Sequence, residues 1–448
     1  MIAEHAVYLP AISDTYGSIR PSSTFSRPLP ITPADLNFLD PKCRLFHHPF
    51  ALFSAGRGWK PNRTGPKLDM ITSRDPDKTV VLADSGGFQI QQGTIEFNGD
   101  ETTKSILKWM ESFADHAMIL DFPTGGIDKG TVDKHRLRLV LEGHGPAIDA
   151  LNSSNKLGIG FNTCLYQTQL NNQVIAANRQ TGATRLLNVV QGRTERESKA
   201  WYEAVKGAGF EDWAFAGGHQ STFSMLLNRI FDLHHDGLLE DVRWIHVLGT
   251  SKPFAAAILT TIQNCIREYF NAHIQISYDS ATPFLTAANY TVNVGFQLDR
   301  YEWKALQFKL SKVPQAMWDS PLNDLAEQLL GAPASMSLEG AEWTFDDFQA
   351  FTPKTAIGKK ISIRDLFEAT DTNMDVAGTA MLMNHNIQVF LRGFAQANNR
   401  LQEGHQQQVP DPVWNIDALI RALFKDHRSN PHKFIGEAAS YLDQLSHA

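Results

Sequence analysis

Residues 79–89 of this chain read TVVLADSGGFQ, and this stretch decides the fold. Its first half, Thr79–Ala83, is a short apolar run that is typical of a strand buried inside a sheet. Its second half, Asp84–Gln89, supplies a carboxylate, a hydroxyl, two glycines, an aromatic ring and a carboxamide. The glycines permit a sharp turn and a close approach of the backbone to a ligand. We therefore predict a buried strand that ends in a loop able to grip a planar heterocycle.

Short apolar runs followed by helical patterns recur along the chain. This alternation predicts a parallel sheet with crossover helices, and eight repeats indicate a closed (β/α)8 barrel. An open, doubly wound sheet is the alternative. The predicted strands are Pro49–Ala55, Thr79–Ala83, Ala117–Asp121, Lys156–Asn162, Leu186–Gln191, Asp212–Gly217, Trp244–Gly249 and Ile274–Asp279.

The chain is long enough for more than one part. Its 448 residues exceed the size at which a single core usually stops growing, roughly 250–300 residues. We expect an irregular N-terminal arm over residues 1–45 and the barrel over residues 46–285. A C-terminal region over residues 286–448 is mixed at first and mostly helical later.

Composition excludes several classes of protein. No apolar run reaches membrane-spanning length, so we expect no membrane partner. The segment Met1–His5 lacks the basic start and apolar core of a signal peptide, and the three cysteines (Cys43, Cys164 and Cys265) lie far apart. We therefore expect a cytoplasmic protein without disulfides. The net charge of -7 gives no general attraction to nucleic acid, although a local basic groove suffices for binding.

Polar side chains close several predicted strands. Asp84, Asp121 and Asp279 end or directly follow three of them, and Gln191 ends a fourth. In a (β/α)8 barrel these positions face the C-terminal mouth, where the chemistry of such enzymes takes place. Each aspartate alone is explained as a helix cap or a turn residue. Their joint occurrence at one mouth predicts an active site.

The chain resembles the tRNA-guanine transglycosylase superfamily over about residues 79–400. The resemblance rests on segments that occur in the family's order: DSGGFQ at 84–89, MILD at 118–121, VQG at 190–192, GFEDWAFAGG at 209–218, LGTSKP at 248–253 and MNHNIQVF at 383–390. The first segment is specific, and the others are weak when taken alone. The resemblance implies a barrel enzyme, a pentosyltransferase, that exchanges the base of a nucleotide through a covalent aspartyl–glycosyl intermediate.

The chain departs from the tRNA enzymes of this superfamily at two points. Those enzymes bind a structural zinc through three closely spaced cysteines and a distant histidine, but no cysteine follows Cys265 here. They also follow the nucleophile with Pro-Thr-Arg, whereas Ser280–Phe284 contains no arginine. The chain is therefore more similar to the branch that inserts 7-deazaguanines into DNA in bacteria and phages. This implies DNA and a 7-deazaguanine base such as preQ0 as partners, with no metal and no cofactor, and it leaves room for partner proteins of a DNA-modification system.

The resemblance also implies a role for each carboxylate. Asp279 best matches the family nucleophile that attacks the sugar C1′, and Asp84 matches the general acid and base. Two carboxylates suit an exchange that keeps the configuration of the sugar, as in retaining glycosidases. Asp121 would accept hydrogen bonds from N1–H and the 2-amino group of guanine. Asp299 is a distant alternative for the nucleophile, because the interval from Lys252 to Asp279 is longer than usual for the family.

Other candidate residues complete the base pocket. The side-chain amide of Gln191 and the backbone N–H of Gly218 would donate to guanine O6, and Phe88 and Leu248 would enclose the ring. Ser85, Gln89 and Gly217 would line the rim. Three histidines (His219, His246 and His385) have no metal-ligand spacing, and we expect them to be hydrogen-bonded pocket or core residues.

Basic residues gather late in the chain in two clusters. Either cluster alone is best explained as a solvated helix face, but with nearby aromatic rings they are candidates for contact with nucleic acid. The first cluster is Lys354, Lys359, Lys360 and Arg364, and the second is Arg421, Lys425, His427, Arg428, His432 and Lys433, with Trp414, Phe424 and Phe434 nearby.

Two other functions stay open. One is the same base exchange on tRNA by an enzyme that lacks the zinc site. The other is a non-catalytic subunit that binds nucleic acid. The presence of both Asp84 and Asp279 argues against the second, because a silent subunit needs neither carboxylate.

Overall fold

Eight parallel strands form a barrel in the computed structural model, which describes residues 2–60, 69–330, 350–367, 373–426 and 430–445. The strands are β1 (Val7–Pro10), β2 (Phe50–Ser54), β3 (Val80–Asp84), β4 (His116–Met118), β5 (Arg185–Val190), β6 (Asp212–Phe215), β7 (Trp244–Val247) and β8 (Gln275–Ser280). Their spatial order is β1-β8-β7-β6-β5-β4-β3-β2, and every neighbouring pair is parallel. A bridge between Ala11 and Leu52 joins β1 to β2, with the Ile12 N–H donating to the Leu52 carbonyl at 3.0 Å. The prediction of a (β/α)8 barrel is confirmed.

Helices follow most barrel strands and cover the sheet. They are α1 (Asp14–Gly17), α2 (Ala55–Gly58), α3 (Gly87–Gln91), α4 (Asp100–Glu111), α5 (Thr131–Leu141), α6 (Gly145–Asn155), α7 (Ile159–Asn178), α8 (Glu195–Val205), α9 (Phe223–His235), α10 (Pro253–Tyr269) and α11 (Thr282–Ala288). Helix α10 shows why these segments are helical. It begins at Pro253, whose fixed φ suits a first turn, and it buries most of its length because it lies between β8 and the C-terminal helices.

The C-terminal region adds a small antiparallel sheet and four helices. Its strands are β9 (Thr291–Leu298), β10 (Trp303–Lys309) and β11 (Ala350–Phe351), in the order β10-β9-β11, and its helices are α12 (Leu322–Leu330), α13 (Val376–Gln402), α14 (Asp411–Lys425) and α15 (Pro431–Leu442). The side chain of Asp375 caps α13 by accepting from the Gly378 N–H at 2.6 Å. Helix α13 packs on α10 and α11, α14 packs on α10, and α15 packs on α9. The region therefore covers the side of the barrel that carries β6, β7 and β8.

Two sequence predictions about the barrel strands are wrong. Residues 156–162 form the turn before α7 and the first residues of that helix. The run is short and contains two glycines, so its pattern does not distinguish a strand from a helix start. The missing strand is β1, which lies inside the segment predicted to be an irregular arm. The barrel thus begins at Val7.

Aromatic and polar side chains pack inside the lower end of the barrel, beside a cavity of about 700 Å³ that His116, Arg185 and Trp244 help to line. The rings of Trp244 and His116 lie 4.6 Å apart, centroid to centroid, near the start of β7 and β4. Both side chains are buried.

All three cysteines are free thiols. Among the helices in the described ranges, none combines the length and the apolar character that crossing a membrane requires.

Candidate active site

Three carboxylates stand at the C-terminal mouth on different strands. Asp84 is the last residue of β3, Asp279 is the residue before the end of β8, and Asp121 lies three residues beyond β4. Because all eight strands are parallel, their C-terminal ends meet at one end of the barrel. The structure therefore brings together the three aspartates that the strand ends predicted.

Asp84 is held by its own loop and by the neighbouring strand. Its Oδ1 accepts a hydrogen bond from the Gly86 N–H at 3.1 Å, and Gly86 has a φ of 80°, which glycine adopts without strain. Ser54 pairs in register with Asp84 and hydrogen-bonds the carboxylate. Burial raises the pKa of Asp84, and the charge of Asp279 raises it further, against the lowering effect of these hydrogen bonds. A carboxyl group in that state is suited to donating a proton.

Asp121 is a buried acid whose pKa is strongly raised. Burial raises its pKa to about 7, and the charge of Asp84 adds to the shift. Its Oδ2 accepts a hydrogen bond from the Gln191 Nε2 at 2.7 Å. No described residue donates a hydrogen bond to the Oδ1 atom. Asp121 thus keeps one oxygen free for a ligand.

Helix α7 holds the segment that carries Asp121. The Asn171 Nδ2 donates to the Leu120 carbonyl at 2.8 Å, and the Phe122 N–H donates to the Thr168 Oγ1 at 2.9 Å. These bonds take the place of sheet pairing, because β4 itself ends at Met118. The polar face of α7 therefore fixes the backbone on both sides of Asp121.

The Asp84–Gln89 loop packs directly against the Asp121 segment. The Ser85 hydroxyl donates to the Ile119 carbonyl at 3.1 Å. A Cβ atom on Gly87 would lie 2.5 Å from the Asp121 carbonyl oxygen, so only glycine fits at this position. The Ser85 hydroxyl therefore joins the Asp84–Gln89 loop to the Asp121 segment, and its proton is already used in this hydrogen bond.

The remaining rim residues differ in how exposed they are. Phe88 is 55% exposed, although it follows a buried loop. Gln89 is half-buried beside Gly56, and its Oε1 is buried with no hydrogen-bond partner in the described ranges. Leu248 is half-buried just beyond β7. Phe88 and Leu248 thus offer apolar surface to a ligand, whereas the Gln89 side chain packs against Gly56 with its Oε1 buried.

Gly218 does not have the predicted role. Its N–H donates to the Gly192 carbonyl at 2.8 Å, so it is not available to a ligand. The neighbouring amide of Gly217 donates no hydrogen bond within the described part of the chain. Gly217 has a φ of 69°, and a Cβ there would lie 2.6 Å from the Gly192 carbonyl oxygen. The free donor at this strand end is therefore Gly217.

Asp279 is anchored through one carboxylate oxygen. Its Oδ1 accepts from the Gly249 N–H at 2.8 Å and lies 3.3 Å from the His246 Nε2. The histidine is fully buried, and its Nε2 has no other polar partner among the described residues. The His246 Nε2 is therefore close to the Asp279 Oδ1, but the two atoms do not have the geometry of a hydrogen bond. No described residue donates to Oδ2, which is therefore the unoccupied oxygen of this carboxylate.

A cavity of about 350 Å³ opens beside the ends of β7 and β8. Ser251, Lys252 and Thr282 line one side, and the exposed Tyr301 and the buried Trp303 line the other. The Lys252 Nζ lies 5.7 Å from the centroid of the Phe254 ring. The cavity lies between the loops that follow β7 and β8 and the C-terminal region, and Thr282 on its wall is three residues from Asp279 in sequence.

Five of the described members of the two basic clusters lie near acidic side chains, whereas Lys359, Lys360 and Lys425 are exposed. Lys354 contacts Asp324, Arg364 pairs with Asp319, and Arg421 pairs with Asp417. In the second cluster His432 lies 3.4 Å from Asp232 and Lys433 lies 3.8 Å from Glu437, while His427 and Arg428 lie outside the described residues.

Phe424, one of the candidates for stacking on a nucleic-acid base, is not accessible for that role. Phe424 is fully buried and packs on Phe231 and Phe270. Trp414 is half-buried against the same core, and Phe434 is 36% exposed. The aromatic residues of α14 therefore hold this helix on the barrel.

Asp299 is not a candidate nucleophile in the structure. It lies in the β9–β10 turn, where its Oδ1 accepts from the N–H groups of Tyr301 and Glu302 at 2.8 and 2.9 Å. Its Oδ2 accepts from the Gln297 Nε2 at 2.7 Å. This carboxylate stabilises the hairpin and not the barrel mouth.

The histidines behave as hydrogen-bonded core residues. The His219 Nε2 lies 2.8 Å from the Ser198 Oγ, and the His385 Nδ1 lies 2.7 Å from the Thr355 Oγ1. In the described ranges, no group of three or more His, Cys, Asp or Glu residues is arranged to hold a metal ion. The chemistry of the mouth therefore has to be derived from its carboxylates, amides and hydroxyls.

Ser54 was not predicted as a site residue, and His246 was predicted only as a hydrogen-bonded pocket or core histidine. Ser54 ends β2 as Asp84 ends β3, so the rule that polar residues close strands would have found it. His246 lies inside β7, where a buried histidine resembles a core residue. Its importance follows from Asp279 on the adjacent strand, and this neighbour is known only once β7 and β8 are paired.

Comparison with protein-family models and with curated proteins yields no match for this sequence. The function is therefore argued from the geometry of the mouth and from the motifs that occupy it.

Proposed function

We propose that this protein exchanges guanine in DNA for a 7-deazaguanine such as preQ0, through a covalent intermediate on Asp279. The observation that carries the proposal is the meeting of three carboxylates at one barrel mouth. The charge of Asp279 raises the pKa of Asp84, and the charge of Asp84 raises that of Asp121. Such coupled, buried acids are typical of functional sites, because a purely structural fold gains nothing from like charges held together.

The proposed reaction consists of two displacements at C1′ of the target nucleotide. In the first, the Asp279 Oδ2 attacks C1′ and the bond from C1′ to N9 breaks. The bonding electron pair leaves with guanine, which takes a proton from Asp84. In the second, the incoming 7-deazaguanine gives its N9 proton to Asp84 and displaces Asp279. Both acids return to their starting states, and two inversions keep the sugar configuration.

Asp121 explains a preference for guanine-like bases. Its free Oδ1 would accept from N1–H and the 2-amino group, which guanine and its 7-deaza analogues share. Adenine has no N1–H and would leave the buried carboxylate without a partner, at a cost of about 1–3 kcal/mol or more. The Gly217 N–H and the second N–H of the Gln191 amide are the donors for O6. Phe88 and Leu248 provide the apolar surface for the ring.

Binding of the free base should strengthen as the pH rises from 6 to 8. Only the ionised form of Asp121 accepts both hydrogen bonds, and its pKa is about 7. The ionised fraction then grows from roughly a tenth to roughly nine tenths, so the affinity for a 7-deazaguanine should rise about tenfold. Calorimetric titration of the protein with the base across this range measures the effect. An affinity that is constant from pH 6 to pH 8 would contradict the role of Asp121.

The Asp121→Asn variant is the matched control for this titration. It should bind the base weakly and without this pH dependence.

The contribution of Asp121 to thermal stability should fall as the pH rises, whereas its contribution to base affinity should grow. Because the pKa of Asp121 in the folded protein lies above its ordinary value of 3.8, its contribution to stability is present at low pH and is lost as the pH rises through 7. The variant should therefore melt at a higher temperature than the original protein at pH 8.

DNA is the preferred polymer because the chain lacks the zinc cysteines and the arginine that the tRNA enzymes use. The target nucleotide must leave the duplex or come from a single strand, since stacking hides C1′ chemistry. The cavity beside β7 and β8 is a path for the strand next to that nucleotide. Lys252 can meet a phosphate there, and the exposed ring of Tyr301 can stack on a base.

A Lys252→Glu variant tests this path. DNA affinity should fall about tenfold at low salt. The slope of log affinity against log salt concentration should become shallower by about one, the change expected when one phosphate contact is lost. Affinity for the free base should not change. Lys108→Glu is the charge-matched control, because Lys108 is exposed in the part of α4 that runs away from the mouth. Equal losses in both variants would show that only total charge matters.

The direct test is incorporation of a labelled base. The protein is incubated with labelled guanine or preQ0 and with duplex DNA, single-stranded DNA or tRNA, and each polymer is digested to nucleosides. Label in deoxynucleosides is the expected result. Label in tRNA alone would favour the alternative substrate, and no label in any polymer would overturn the proposed reaction.

A further inference from the structure

A column of polar side chains runs through the barrel interior and ends at Asp279. The Trp244 Nε1 lies 2.6 Å from the Ser277 Oγ, which in turn lies 2.8 Å from the His246 Nδ1. The His246 Nε2 lies 3.3 Å from the Asp279 Oδ1. Ser277 and His246 are fully buried and Trp244 nearly so. These residues alternate along β7 and β8, so all of them project from the same face of the sheet.

The direction of each hydrogen bond follows from the donors available. Trp244 only donates, so its indole N–H donates to the Ser277 Oγ. The Ser277 hydroxyl then donates to the His246 Nδ1, since its proton has no other acceptor among the described residues. A neutral imidazole whose Nδ1 accepts carries its proton on Nε2. The N–H of His246 is therefore on the ring nitrogen that lies 3.3 Å from the Asp279 Oδ1.

We infer that His246 is a positioning residue for the nucleophile, and that Ser277 and Trp244 set its tautomer. This inference rests on the proposed function for the identity of the reaction. The Gly249 N–H and the His246 N–H both address Oδ1, so Oδ2 is left without a donor among the described residues. The Gly249 hydrogen bond and the close His246 nitrogen together restrict the carboxylate plane, and the other oxygen keeps its full lone-pair density for attack on C1′.

Holding the attacking atom in place affects the rate rather than binding. A misplacement of about 1 Å costs roughly 100-fold in rate, because the reacting atoms must approach within a narrow geometry. Asp121 and Gln191, which would hold the base, follow β4 and β5, whereas His246 lies in β7 beside Asp279. Loss of the His246 N–H should therefore lower kcat and leave the KM for the base unchanged.

The kinetic test compares two variants of His246 with the original protein. His246→Phe keeps a ring of similar size but removes both nitrogens, and kcat for guanine exchange should fall about 10- to 100-fold with an unchanged KM. His246→Gln restores an N–H near the position of Nε2 and should recover most of that loss. His385→Gln controls for the cost of altering a buried histidine far from the mouth. A normal kcat in His246→Phe, or no rescue by His246→Gln, overturns the inference.

A second measurement does not depend on the reaction, and its main result needs only the original protein. Nitrogen-15 NMR of the original protein reports which imidazole nitrogen carries the proton. We expect the His246 signal to show a proton on Nε2 and none on Nδ1, and Ser277→Ala should increase the other tautomer. A proton on Nδ1 in the original protein overturns the inference. Absence of exchange by the original protein would instead overturn the proposed function. The tautomer measurement would still decide whether Ser277 and Trp244 place the His246 proton on Nε2.

Discussion

An Asp279→Asn variant should lose base exchange by more than about 10⁴-fold, because an amide cannot attack C1′ as a carboxylate does. The fold should survive the change. The carboxamide that replaces the carboxylate still presents an oxygen to the Gly249 N–H, which donates to Oδ1 at 2.8 Å in the original protein. The measurement is the appearance of a protein–DNA adduct on a denaturing gel together with the rate of label exchange. Neither should be detectable in the variant.

Two controls separate this result from a general loss of folding. The variant should bind a free 7-deazaguanine with the affinity of the original protein, because the Asp121 pocket is intact. Asp299→Asn should exchange the base at a normal rate, since Asp299 stabilises the β9–β10 turn. Exchange at an undiminished rate by Asp279→Asn would remove the proposed nucleophile, and loss of exchange in both variants would point to a structural effect.

The barrel could be predicted because most of its strands carry a local signal. Seven of the eight predicted strands overlap observed ones, and each is an apolar run bounded by polar residues or glycine. Strand β1 was missed because four residues before a proline-containing segment give too little pattern. The run at 156–162 was mistaken for a strand because Gly158 and Gly160 interrupt a short apolar segment. Its helical nature follows from packing over the full length of α7.

The site could be predicted where its residues follow strands, and not where their partners are remote. Asp84, Asp121 and Asp279 were found because each closes or directly follows an apolar run. The hydrogen bond of the Gly218 N–H to Gly192 joins the ends of β5 and β6, and no local pattern indicates it. The same holds for the contact between His246 and Asp279. Such contacts depend on strand register, which the sequence specifies only through the whole core.

Asp84, Asp121 and Asp279 are the same residue type, but their surroundings in the folded protein differ. Desolvation raises the pKa of Asp84 and Asp121, and each is raised further by the carboxylate next to it. Asp279 instead lies beside two N–H groups that address one of its oxygens. In the proposed reaction one acid attacks, one transfers the proton and one recognises the base, because environment rather than residue type sets the role.

An Asp84→Asn variant should lose exchange of guanine by about 10²- to 10⁴-fold, the usual contribution of a general acid. Guanine leaves poorly without a proton, and the amide has none to give. The variant should behave differently with DNA that carries N7-methylguanine at the target position. That base is already cationic and departs as a neutral molecule without help from an acid. A pocket that admits the 7-substituent of preQ0 has room for the methyl group.

With the methylated DNA, Asp84→Asn should therefore form the covalent adduct within about tenfold of the original rate. The adduct should then persist, because the incoming base has lost the carboxylate that would accept its N9 proton. A denaturing gel that follows adduct formation over time, with and without added preQ0, distinguishes the two halves of the reaction. Asp279→Asn should form no adduct with either DNA, since it lacks the attacking oxygen. If Asp84→Asn fails equally with guanine and with N7-methylguanine, then Asp84 binds or orients the nucleotide and the proton comes from elsewhere.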